Sequence, residues 1–70
     1  MKYAVIIEEG PTSYGAYVPD LPGCVAVGGT HDEAVSLIRE AIAYHIEGMI
    51  KDGDEIPPIV SSAELVEITA

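Results

Sequence analysis

The chain has 70 residues, one cysteine, 49% apolar residues and a formal charge of −9, from twelve acids against three bases. One cysteine excludes an internal disulfide, and there is no run of about 18 apolar residues to span a membrane. The negative field disfavours nucleic acid phosphate and anionic membranes as partners and speeds encounter with a positive one, although acidity serves solubility equally well.

Lys2 to Glu9 (KYAVIIEE) is rich in β-branched and aromatic residues, and Gly10-Pro11 stops it. Tyr3, Val5 and Ile7 fall on one face, Ala4 and Ile6 on the other, which predicts a central strand covered on both sides. After a Gly-Pro-Thr-Ser connection, Tyr14 to Val18 reads as a second strand. Pro19-Asp20-Leu21-Pro22-Gly23 interrupts it, because prolines remove backbone donors and Gly23 invites a turn. Cys24 to Gly28 (CVAVG) reads as a third strand, so the three should form an antiparallel meander.

Thr30-His31-Asp32-Glu33 has the pattern of a capping box, in which the threonine oxygen accepts from the Glu33 amide and Glu33 reaches back. Ala34, Leu37, Ile38, Ala41, Ile42, His45, Ile46 and Met49 then recur at three- and four-residue steps, the apolar stripe of an amphipathic helix. Lys51 suits the negative C-terminal end, Gly53 is the expected cap, and Pro57-Pro58 bars further helix. An irregular stretch from Asp52 to Ser62 leads to a last strand, Glu64 to Thr69 (ELVEIT).

The expected fold is therefore one α+β domain over residues 1–70, ordered β-β-β-α-β, with the helix on one sheet face. A right-handed crossover would bring the last strand back parallel to the third, and an incomplete RNase H-like arrangement would set it beside the first.

A chain this short buries only about 60% of the surface its unfolded form exposes and needs support from a disulfide, a metal or a second copy. Cys24, His31 and His45 lie far apart without metal-site spacing, so no metal or cofactor is expected. A homodimer or homotetramer, joined through apolar residues of a sheet face or edge strand, is expected instead. The chain opens on a strand-like run rather than a charged-then-apolar signal, which with the free thiol points to a cytoplasmic protein.

An RNase H-like order raises the question of a metal-dependent nuclease, whose chemistry needs clustered carboxylates on divalent metals. Here the middle of the first strand is Val5-Ile6-Ile7; Glu8 and Glu9 come only at its end, Glu40 lies outside the helix stripe and Glu67 is alone. No enzyme is expected. Cys24 opens an apolar strand in an acidic protein, which raises a thiol's pKa and suits a buried core residue better than a nucleophile. His45 reads as a core-edge histidine with a hydrogen-bond partner, and His31 as a first-turn surface residue. Gly28-Gly29-Thr30 before a helix superficially resembles an anion site, but it lacks a phosphate loop's other glycines and lysine, and Asp32-Glu33 follow at once.

One motif exceeds these readings: Pro19-Asp20-Leu21-Pro22-Gly23-Cys24, a stiff connection in which each proline fixes its own φ and holds its predecessor extended. Asp20 is expected to bond the backbone of its own turn. With Tyr17-Val18 before it, and Gly28, Thr30, Glu33-Ala34, Glu40-Ala41, Asp52-Gly53 and Ile56-Pro57 after it, the motif resembles the HicB antitoxin family from Tyr3 to about Pro58. The resemblance implies an incomplete RNase H-like domain without nuclease activity, usually dimeric or larger. It implies as partner a HicA-type toxin, a small basic mRNA-cleaving protein whose active surface the antitoxin masks. Fuller family members carry a C-terminal DNA-binding domain; this chain ends at Ala70, so direct operator binding is not expected. Asp20, Glu40, Glu47, Glu64 and Glu67 are the candidate partner-binding acids. The alternative is an orphan oligomeric interaction module of the same family without a toxin.

Overall fold

The computed structural model describes residues 1–69 and has the order β1 (Ile6–Glu9), β2 (Tyr14–Tyr17), β3 (Val25–Gly28), α1 (His31–Asp52). The strands form one antiparallel sheet in the order β1-β2-β3, so the α+β meander followed by a helix is as expected. Ile7 pairs with Ala16 and Ala16 with Ala26, which puts the three side chains on one face, together with Glu9, Tyr14 and Gly28 one register step away. That face carries α1, which contacts all three strands. The opposite face presents Ile6, Tyr17, Val25 and Val27, the last three exposed, and no element among the described residues covers it.

The helix starts and stops as its sequence dictates. Thr30 is extended and its Oγ1 accepts from the Glu33 amide at 3.1 Å. The Glu33 carboxylate reaches back one residue further than the usual box, to the Gly29 amide at 3.1 Å. Gly53 closes the other end at φ 72°, with its amide on the Ile50 carbonyl and the Asp54 amide on that of Met49, the paired bonds of a Schellman cap.

Ala16, Val18, Leu21, Cys24, Ala34 and Ile38 form the core, with Tyr3, Val5, Ile7, Ala26, Ile42 and Ile46 packed at its margin. The core is small, and its two largest fully buried side chains, Leu21 and Ile38, contribute about 1.5–3 kcal/mol each. The smallness of Ala16, Ala26 and Gly28 on the helix-bearing face is what lets the helix lie close on β2 and β3.

Two expectations need correction. β1 is an edge strand; β2 is central. Its two-sided apolar pattern marks the helix contact on one face and Ile6 beside the open sheet face on the other, which periodicity does not distinguish from flanking strands. Second, Glu64–Thr69 forms no strand and pairs with nothing among the described residues, so no parallel last strand completes the sheet in this chain. A strand is held by its ladder and its cross-strand neighbours, and here the segment's side chains are exposed throughout.

Candidate functional site

The proline-rich loop between β2 and β3 is built from two successive turns. The Leu21 amide bonds the Val18 carbonyl at 3.1 Å with Pro19 second in the turn, and the Cys24 amide bonds the Leu21 carbonyl at 3.1 Å with Pro22 second. Gly23 sits third in the latter turn at φ 84°, the left-handed angle that a type II turn requires. A 3.3 Å bond from the Val18 amide to the Cys24 carbonyl closes the loop. Pro19, Pro22 and Gly23 face solvent, whereas Leu21 and Cys24 turn inward. Burial pushes the Cys24 thiol above its ordinary pKa, the setting of a core residue and not of a nucleophile.

Asp20 does not bond its own turn. Its Oδ2 accepts from the backbone amides of Val60 at 3.1 Å and Ser61 at 3.0 Å, and its Oδ1 from the Ser61 hydroxyl at 2.8 Å. At 9% exposure, with both oxygens engaged, this carboxylate is a clasp holding the segment after the helix against the β2–β3 loop. The Ser61 amide, opposed by desolvation and aided by the Ser61 hydroxyl and Val60 amide, holds the Asp20 carboxyl below its ordinary pKa. A depressed carboxylate contributes stability that is complete above the unfolded-state value and is lost as pH falls through the folded one. The clasp is therefore expected to weaken progressively as pH falls below about 4, the ordinary value for an aspartate. Asp20→Asn, with one acceptor oxygen in place of two, is expected to speed hydrogen exchange at the Val60 and Ser61 amides roughly 10–100-fold at neutral pH. Unchanged exchange at those amides would mean that the carboxylate does not hold the segment.

The other four candidate acids are exposed: Glu40 and Glu47 on α1, Glu64 and Glu67 on the terminal segment. Glu47 approaches Lys51 at 3.6 Å, one helical turn away, an exposed pair of small energetic weight. Asp20, unlike these four, is turned inward and engaged within the chain. Among the described residues, no group of three or more His, Cys, Asp or Glu side chains lies close enough to hold a metal ion. Two amides at the start of α1 are already bonded within the chain, to Thr30 and Glu33, which leaves less for an anion to bind there. His31 is on the surface, edge-on to the Tyr14 ring at 6.2 Å between centroids, with Nδ1 3.5 Å from Asp32. His45 is half-buried at the core margin. No described helix is long and apolar enough to cross a membrane.

Sequence reasoning missed Ser61 and Val60 as partners of Asp20, Val35 as part of a groove beside β1, and Val25 and Val27 as a bare sheet face. The signal for the last was present: β3 alternates, and its outward residues are valines.

These features define a small acidic α+β domain whose β2–β3 loop is a rigid, inward-plugged turn pair. The chain belongs to the HicB-like antitoxin family: the family described as "HicB_like antitoxin of bacterial toxin-antitoxin system" matches residues 3–69. An uncharacterized 14.9 kDa protein of Haemophilus phage HP1 is 46% identical over 57 residues, covering 81% of this chain and 43% of the phage protein. A UPF0150 protein of Thermoplasma acidophilum is 45% identical over 58 residues, covering 81% of this chain and 84% of that one. Antitoxin HicB 2 of Photorhabdus laumondii is 30% identical over 71 aligned positions, covering 100% of this chain and 51% of the antitoxin. The chain thus spans about half the length of the phage protein and of the Photorhabdus antitoxin.

Proposed function

We propose that this protein is the antitoxin of a toxin–antitoxin pair, a non-enzymatic domain that neutralises a small basic HicA-type mRNA-cleaving toxin by covering its active surface. The observation that carries the reading is the antitoxin-family match along residues 3–69. The charge of −9 supports it, since a strongly acidic surface steers and retains a basic partner. Glu40, Glu47, Glu64 and Glu67 are exposed acids that can meet such a partner, and the bare face of Tyr17, Val25 and Val27 supplies apolar area on the sheet side opposite the helix. Asp20 serves the same end indirectly, by positioning the segment that carries Glu64 and Glu67. The working unit is a cytoplasmic homo-oligomer.

Co-expression with the product of an adjacent small basic reading frame is the test. A co-purifying complex and restored growth are expected. Changing Glu40 and Glu47 to Lys together should slow association about tenfold at low salt, with a smaller deficit at high salt. If no complex forms and growth is not rescued, the antitoxin reading fails and the orphan interaction module takes its place.

A further inference from the structure

The outer edge of β1 is unpaired among the described residues, and the chain that continues it toward Met1 forms one wall of an apolar groove against α1. The groove, about 380 Å³, is lined by Tyr3, Val5 and Ile7 on the strand side and Val35, Arg39 and Ile42 on the helix side. Arg39, one of only three basic residues in the chain, has no ion pair among the described residues. A free strand edge beside an uncovered apolar groove is a template for another strand.

The same chain carries a segment with the complementary features. Glu64–Thr69 has a strand's composition, yet Leu65, Val66 and Ile68 are 103%, 73% and 78% exposed, so they touch almost nothing of their own fold. With a period of two, Glu64, Val66 and Ile68 share one face and Leu65 and Glu67 the other. Set with Val66 and Ile68 in the groove, the segment puts Glu64 on the same side as Arg39, while Leu65 extends the apolar sheet face that begins at Ile6. The Asp20 clasp ends at Ser61, which leaves only Ser62 and Ala63 as a hinge before the segment begins. A short hinge favours exchange between chains over return onto the same chain.

We propose that two copies of this chain dimerise by exchanging Glu64–Thr69, each segment adding as a parallel strand to the β1 edge of the other copy and filling its groove. This names the interface of the homo-oligomer inferred above and rests on that part of the reading, not on the identity of a toxin. The exchange removes both exposed edges of β1 at once and covers two large apolar side chains per copy, Val66 and Ile68.

Sedimentation velocity between about 1 and 100 µM reads the assembly directly. The full chain is expected to sediment as a dimer. Removal of residues 63–70, or Val66→Pro, which deletes a ladder donor, should weaken dimerisation at least about 100-fold while the helical circular dichroism persists. In a Cys24→Ala background, chains carrying Glu8→Cys and chains carrying Glu67→Cys are mixed and oxidised. Disulfide-linked heterodimers of one copy of each are the expected product, since both positions lie on the open face of adjacent strands. A dimer that survives truncation, or the lack of any bond between the mixed chains, overturns the exchange and leaves the oligomer reading standing. A full chain that sediments as a monomer overturns both. Toxin capture is scored separately, so its failure is not confused with either.

Discussion

Leu21→Ala is expected to destabilise the protein by about 2–5 kcal/mol, the range for removing a large buried aliphatic side chain. Leu21 is 0% exposed although it lies in a loop, and it is the point at which the β2–β3 connection plugs into the core beside Val18, Cys24 and Ile38. The cost should fall in the upper part of that range. Pro19 and Pro22 fix the backbone on either side, and hydrogen bonds at both the Leu21 amide and carbonyl hold it in place, so the loop has little freedom to collapse into the void. A single core of this size supplies no more than about 3–5 kcal/mol in total, so the variant should be largely unfolded at 25 °C without a partner. Urea titration followed by circular dichroism measures this. Leu21→Met, which conserves volume, should lose less than about 1.5 kcal/mol. If Leu21→Ala unfolds at the wild-type urea midpoint, the loop is not anchored through this side chain.

Gly28→Ala is the second large effect, expected at about 1–3 kcal/mol or more. A Cβ at position 28 would lie 2.6 Å from the Ala34 nitrogen and 3.0 Å from both the Ala34 Cα and the Glu33 carbonyl carbon. All three are backbone atoms of the first helical turn, so no side chain can swing aside. The helix start must move off β3, and the bonds from the Glu33 amide to Thr30 and from the Gly29 amide to Glu33 would be strained with it. Loss of a threonine cap alone costs about 0.5–2 kcal/mol. Gly29→Ala is the matched control: nothing lies within 4 Å of its Cβ, its φ is not positive, and it keeps its amide donor. A thermal melt that fails to separate the two variants would show that the close approach of β3 to α1 does not limit the packing.

The two substitutions bear differently on function. Leu21 anchors the loop that carries Asp20, and through Asp20 the segment bearing Glu64 and Glu67. A Leu21 variant that still folds, such as Leu21→Met, is therefore expected to keep the clasp. Gly28 acts at the other end of the sheet from this loop, against the first turn of α1.

Much of this fold was legible in the chain because the signals are short-range. The helix from His31 to Asp52 follows from a 3.6-residue apolar period between a Thr-x-x-Glu start and a glycine stop, each acting within about one turn of backbone. The turns of Pro19–Cys24 follow from proline's fixed φ and from glycine's access to positive φ. The inward setting of Cys24, just before β3, follows from its alternation with Ala26 and Gly28 on the helix-bearing face. The charge that suggests a basic partner is read from composition alone.

Tertiary structure decided the rest, and in each case the deciding contact joins residues that no local pattern links. β2 rather than β1 is central because, among the described residues, the sheet has no neighbour on the far side of β1, and an apolar residue carries no record of whether a strand, a helix or another chain covers it. Asp20 bonds Val60 and Ser61, 40 and 41 residues away, in preference to its own turn, because those amides arrive at the loop only after the helix has run its length. The strand pattern of Glu64–Thr69 states that these residues need cover and an edge to pair with. Pairing is a property of two segments together, so the sequence determined the donor, and only the folded chain, with its own β1 edge and groove left open, decided where a strand is wanted.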